Sequence, residues 1–304
     1  AVEDVIASKE FSLVSEFKNL WPAASAGVAE VGDTKTLYGT YAGDGNSETI
    51  LAMKFTSSQD YNGNNDGNRW QVMVGMRGLN AAPYGKGWGT MSVDPAFVSE
   101  FKSGDTRRSA SIIDWEAEGI TSLAAFGDTY RDQREYTGYT IKKYSPLCYA
   151  DGTSASKEDG SGDFQLSNHQ DYVIMRYADV LLMAAELGSP KAQEYFDEVR
   201  KRAYTSEGTL SANYSQLPVT KENIMQERRL EFAFESINYW DLLRQGVDYA
   251  ASKLALSEKQ VYSGGIVDFI TISADRIRTT KGLSQIPYNQ ITLSNGTLVQ
   301  NAGW

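Results

Sequence analysis

Three glutamates, Glu227, Glu231 and Glu235, recur every four residues in the run Glu227-Arg228-Arg229-Leu230-Glu231-Phe232-Ala233-Phe234-Glu235. On a helix they stack along one side, where neighbouring like charges repel by about 0.2–0.5 kcal/mol per pair. Paired carboxylates can cleave glycosides. That chemistry needs carboxyls on opposing faces of a sugar, about 5–5.5 or 6.5–9.5 Å apart, and one side of one helix does not provide it. The helix is also apolar nearly all round, with Leu230, Ala233, Phe234, Ile237 and Trp240 on one face and Phe232, Tyr239 and Leu243 on the other. An uncompensated charge buried there costs far more than one at the surface. The ladder therefore calls for cations from neighbouring elements, and Arg176, Arg200 and Arg202 are expected to supply them as structural ion pairs.

Other catalytic constellations are missing. The chain has one histidine, His169, and one cysteine, Cys148. A triad would need that histidine as its base, and it reads better as a structural or loop residue. Cys148 has no basic sequence neighbours and reads as an inert thiol. No residues have zinc-ligand spacing, and no glycine loop is placed to cradle a phosphate. Neither a catalytic residue, a metal nor a cofactor is expected, and the chain is not expected to be an enzyme. Asp60, Asn62, Asn64, Asp66 and Gly67 have calcium-loop spacing but lack the closing glutamate, so they read as a solvated turn.

Aromatic residues among Gly, Asn, Asp and Arg are the better lead. Sugar rings have apolar C–H faces rimmed by hydroxyls, so a sugar site wants aromatic platforms beside polar side chains. Tyr61, Arg69, Trp70, Tyr84, Trp88 and Trp115 fit as candidate ligand contacts, and Tyr130 lies in similar sequence. The competing reading is that these aromatics pin long loops onto the core.

With 304 residues, 41% hydrophobic and 22% charged, the chain has an ordinary globular composition. Its net charge of −10 argues against a nucleic-acid partner and against docking on anionic lipid. No apolar run is long enough to span a bilayer as a helix. The expected fold class is mainly α, with a loop-rich segment carrying short β-strands. Residues 1–165 are loop-rich and hold the expected ligand-binding region, 166–250 form a helical core, and 251–304 are strands and turns. Strands are expected at Thr49–Phe55, Trp70–Val74 and Tyr139–Tyr144, and a short helix at Asp94–Lys102 with Asp94 as cap. Asp151–Gly162 reads as a mobile surface loop. Helices are expected at Met175–Leu187, after Ser189-Pro190, and from Thr220 unbroken to Gly246. Ala1–Ser8 reads as an uncapped helix tail, so the chain is expected to start mid-helix, with an N-terminal portion lying outside it.

Four ordered blocks resemble the SusD/RagB family, outer-membrane nutrient-binding lipoproteins of Bacteroidetes. They are Gln170–Glu186, Tyr195–Ala203, the Glu227–Gly246 run, and Gln285–Tyr288 with Leu298–Trp304. Weaker matches lie at Ser47–Leu51, Asp105–Arg108 and Tyr139–Tyr144. The chain departs from the family pattern at Ser236 and Asn238, where Gly and Arg are usual, and at Gln285, Ala302 and Ser294–Gly296, where prolines are usual. The resemblance implies a tetratricopeptide-like helical core in a single domain. It also implies that the family's N-terminal section, with its lipidated cysteine, has no counterpart here. The implied function is capture of an oligosaccharide at the cell surface and its delivery to a SusC-like TonB-dependent transporter. The only implied membrane contact is an N-terminal lipid anchor. RagB-type relatives make a peptide or other nutrient the alternative ligand, and a glycoside hydrolase is less expected still.

Overall fold

The computed structural model describes residues 1–58, 67–120 and 133–304. It divides into two compact units, one comprising Ala1–Glu235 with Tyr262–Ile266, the other Ser236–Val261 with Val267–Trp304. The architecture is mainly helical, and the sheets among the described residues are two-stranded.

The first unit is organised on an antiparallel helical hairpin, Tyr177–Glu186 and Ala192–Ala203. Ala178, Leu181 and Leu182 of the first helix are fully buried, because helices pack on several of its sides. Both the N-terminal helix Val2–Ser8 and the helix Lys221–Glu231 pack against it. Gly188 links the hairpin with φ of 76°, a left-handed conformation that costs glycine little. The link is longer than the sequence suggests: Ser189 Oγ accepts from Lys191 N at 3.0 Å and the second helix begins at Ala192. The expected helix at Met175 begins two residues later, because Tyr172–Arg176 pairs antiparallel with Thr49–Met53.

Two apolar clusters fill the loop-rich part. One gathers Phe17, Leu20, Trp21, Val74, Ile112, Ile141 and Tyr144; the other gathers Leu37, Met76, Ile113, Trp115, Leu147 and Tyr149. Full burial of each such large side chain is worth about 1.5–3 kcal/mol. Residues 151–162 are not a free loop. Ser154 bridges to both Cys148 and Gly162, and Ala155 and Ser156 are buried.

Three sequence expectations fail locally. Trp70–Val74 is helical, as part of Arg69–Val74, because Asn68 Oδ1 caps Trp70 N at 2.9 Å, and an N-cap of this kind outweighs modest strand propensity. The long helix from Thr220 stops at Glu231. In a continuing helix Glu231 O would accept from residue 235, but Lys143 Nζ and Arg176 Nη2 bind it at 2.9 and 2.8 Å. Phe234 and Ser236 then turn left-handed, with φ of 65° and 62°, and a separate helix, Asn238–Arg244, follows. This turn ends the single apolar face, so Trp240 is exposed. The last fifty residues also hold helices, Ala274–Thr280 and Tyr288–Leu293, beside the expected strands.

The second unit comprises Asn238–Arg244, Val247–Leu254, most of the hairpin Leu256–Ser263 with Ile266–Ile272, and those two helices. Trp304 is anchored there, with its indole N donating to Leu283 O at 2.9 Å and the Arg276 guanidinium 4.1 Å from its ring centre.

Candidate functional site

The carboxylates that first suggest chemistry are buried in ion pairs. Arg176 Nη1 stands 2.6 Å from Glu231 Oε1 and 2.7 Å from Glu48 Oε1, and its Nε is 2.8 Å from Glu235. Arg200 meets Glu227 at 2.9 Å, while Arg202 pairs with Glu231 and lies 2.9 Å from Glu48. Arg107 binds Asp105, Glu227 and Glu231 at 2.7, 2.6 and 3.2 Å. Lys143 Nζ lies 2.6 Å from Glu235 Oε1. Arg107, Lys143, Arg176, Arg200 and Arg202 thus face Glu48, Asp105, Glu227, Glu231 and Glu235, five charges of each sign. The cluster is neutral as a whole. Phe17 lies among three of the cations, its ring centre 4.9 Å from Lys143, 5.8 Å from Arg176 and 5.0 Å from Arg202, where the ring face attracts positive charge.

Burial opposes ionisation of Glu231, but Arg202, Arg176 and Arg107 outweigh it and hold the carboxyl well below its usual range. The same balance lowers Glu235, against Arg176 and Lys143. Lys143 goes the other way, its full burial bringing it down to about 8 against the pull of Glu235. Acids held ionised beneath fixed guanidiniums have no proton to give, and the ladder is structural. Glu48, Arg107 and Lys143 come from the weakly matching blocks Ser47–Leu51, Asp105–Arg108 and Tyr139–Tyr144.

The candidate ligand contacts separate. Tyr61 lies outside the described residues, as do Tyr130 and the Asp60–Asp66 run. Trp115 is 2% exposed and donates to Thr140 Oγ1 at 2.8 Å, and its ring packs 4.8 Å from that of Tyr136. Tyr84 is 7% exposed and donates to Glu118 Oε2 at 2.6 Å. These two pin loops to the core and present no face to a ligand, which corrects the expectation for them. Trp70 is half-buried against Tyr172, with 6.2 Å between ring centres. Trp88 keeps an open face at 36% exposure. Its indole N donates to Gln165 Oε1 at 3.2 Å, and Arg69 Nη1 donates to Gln165 O at 2.5 Å. Gly87 makes that placement possible: a Cβ there would sit 2.3 Å from Val72 O, the carbonyl that accepts from Trp88 N at 2.7 Å.

A concave site of about 220 Å³ opens nearby, lined by Pro22, Tyr38, Tyr41, Asp44, Gln71, Leu147, Ala155, Ser156, Asn168, His169 and Gln170. Tyr41 donates to Asp44 Oδ1 at 2.5 Å and Tyr38 to Ala155 O at 3.3 Å. Burial pushes Tyr38 up to about 12 and Tyr41 further still, so both phenols keep their protons. Gln71 and Gln170 brace each other, Nε2 of the first donating to Oε1 of the second at 3.2 Å and Gln170 N donating to Gln71 Oε1 at 3.0 Å. Aromatic edges beside amides, one carboxylate and one imidazole suit a polyhydroxylated ligand. The sequence reads His169 as a structural or loop residue and marks none of the others as a ligand contact. The available signal was Asn168-His169-Gln170, three polar residues at the start of the first block of family resemblance.

Comparison with known proteins agrees with this architecture. The SusD family model matches residues 127–304, and the chain belongs to that family. It is 27% identical over 184 residues to SusD-like protein P2 of Formosa agariphila, covering 57% of this chain and 34% of that one. Surface glycan-binding protein A from Bacteroides fluxus superposes with a TM-score of 0.71 at 26% identity, over 100% of this chain and 57% of the other. The protein of the same title from Bacteroides thetaiotaomicron, solved with laminarihexaose, has a TM-score of 0.70 at 23% identity, over 99% of this chain and 58% of that one. The chain therefore spans about a third of the curated relative and less than three fifths of the solved ones.

Proposed function

We propose that this chain is part of a cell-surface receptor that binds an oligosaccharide in the Tyr38–Tyr41–Gln170 cavity. One observation carries the reading: two proton-bearing phenols, two braced amides, a carboxylate and an imidazole converge on one open cavity. Support comes from relatives of the same fold titled surface glycan-binding proteins, one of them in complex with laminarihexaose. Among the described residues Asp44 is the only carboxylate lining the cavity, so the paired carboxyls of glycoside cleavage have no counterpart there, and the reading is binding without turnover. As a member of the SusD family the protein would act at the outer membrane, anchored by lipid, and pass its ligand to a SusC-like TonB-dependent transporter.

Calorimetry against laminarihexaose, cellohexaose, xylohexaose and maltohexaose tests this. Binding by at least one is expected, with Tyr41→Ala weakening it about tenfold, or 1.4 kcal/mol. Heat only from short peptides would move the assignment to the RagB-type alternative. Release of shorter sugars would overturn the non-enzymatic reading.

A further inference from the structure

His169 is the only histidine in the chain, and it stands, half-buried, in the wall of this cavity. Its Nδ1 lies 3.3 Å from Ser167 O. A carbonyl oxygen can only accept, so the ring must be the donor in that contact. A neutral imidazole carries one N–H. With that hydrogen on Nδ1, Nε2 is left as a bare lone pair.

The neighbouring phenols and amides have each committed a donor hydrogen. The Tyr41 hydroxyl is given to Asp44, the Tyr38 hydroxyl to Ala155 O, and an Asn168 amide hydrogen to Phe164 O at 2.6 Å. Gln170 Nε2 donates to Lys143 O at 3.1 Å. The bare His169 Nε2 is an acceptor on this wall that an arriving hydroxyl can meet as a donor.

We propose that His169 is a ligand-contacting, specificity-determining residue whose Nε2 accepts a hydrogen bond from a sugar hydroxyl. This rests on the glycan reading of the cavity and deepens it. A ligand lacking that hydroxyl, or carrying an ether there, leaves the lone pair unmatched and is discriminated against.

The full chain provides two tests. In uniformly 15N-labelled protein the single imidazole gives one ring spin system, and long-range couplings identify which nitrogen carries the hydrogen. The Nδ1–H tautomer is expected, and the Nε2–H tautomer overturns the proposal without any ligand being present. In calorimetry with laminarihexaose, and with cellohexaose, xylohexaose and maltohexaose as further probes, His169→Ala should weaken binding about three- to tenfold, the worth of one net hydrogen bond. His169→Gln, whose amide oxygen can accept, should recover most of that, with melting temperatures unchanged in both.

Wild-type binding unaltered in both variants sinks the role of His169 and leaves the glycan reading standing. A wild-type protein that binds none of the four sugars sinks both.

Discussion

Gln170 and Lys143 tie the cavity lined by Tyr38 and Tyr41 to the ionic core through one main-chain carbonyl. Gln170 Nε2 donates to Lys143 O at 3.1 Å, and the Lys143 ammonium stands 2.6 Å from Glu235 Oε1. The buried charged cluster thereby holds the residue against which Gln71 is braced.

Removing single cations should rank by how many carboxylates each one binds. Arg176→Met takes one partner from each of Glu48, Glu231 and Glu235, leaves the buried cluster one positive charge short, and is expected to cost about 3–5 kcal/mol, as for a buried pair broken by removing one partner. Lys143→Met leaves Glu235 still bound to Arg176, and it removes a cation that burial brings down to about 8. Its expected cost is about 1–2 kcal/mol. Denaturant titration of both variants checks the order, and an equal or reversed ranking would refute it.

Acid should unfold the protein through the same cluster. Glu231 ionises well below the usual 4.5 in the folded chain, and Glu235 is lowered as well. For acids with a depressed native value, the stabilisation is complete above the unfolded value and is lost as pH falls through the folded range. Stability is thus expected to decline steadily below about pH 4.5 in the wild type. Glu231→Gln should be less stable at neutral pH, with a shallower acid slope. Parallel slopes in thermal melts at a series of pH values would contradict this.

Trp88 and Trp115 should respond oppositely to truncation. Trp115→Ala empties a site that is 2% exposed and is expected to cost about 3–5 kcal/mol. Trp88→Ala removes an open indole, so stability should change by less than about 0.5 kcal/mol. If the sugar extends over this face, its affinity falls at the same time. Melting curves beside calorimetry separate the two.

Cys148 should be silent in the native protein. It is fully buried, its Sγ–H is directed at Tyr84 O 3.1 Å away, and burial pushes the thiol up to about 12. An aromatic disulfide reagent near neutral pH should label it only after denaturant is added. Rapid labelling of folded protein would mean the thiol opens to solvent.

The helical half of the molecule was legible because its signals are local. Apolar residues at helical spacing, Thr220 as a cap and Glu227, Glu231 and Glu235 on an apolar helix state what they need from nearby sequence. Arg176, Arg200 and Arg202 could be matched to that need. Glu48, Arg107 and Lys143 could not, since each lies about 90 residues or more from the ladder glutamate or the arginine it meets. The helix end at Glu231 was hidden for the same reason, because its last carbonyl is capped by side chains from Lys143 and Arg176 rather than by a glycine.

The candidate ligand site was legible only as a composition. The sequence by itself determined the family, the helical core, the requirement for buried counter-charges and the abundance of aromatics in the loop-rich segment. Only the tertiary structure decided which aromatics are spent on packing, as Trp115 and Tyr84 are, and which remain open. It also brought Tyr38 and Tyr41 together with Asn168, His169 and Gln170, more than a hundred residues along the chain. A cavity is a property of what several distant segments leave unfilled, and no local pattern encodes that.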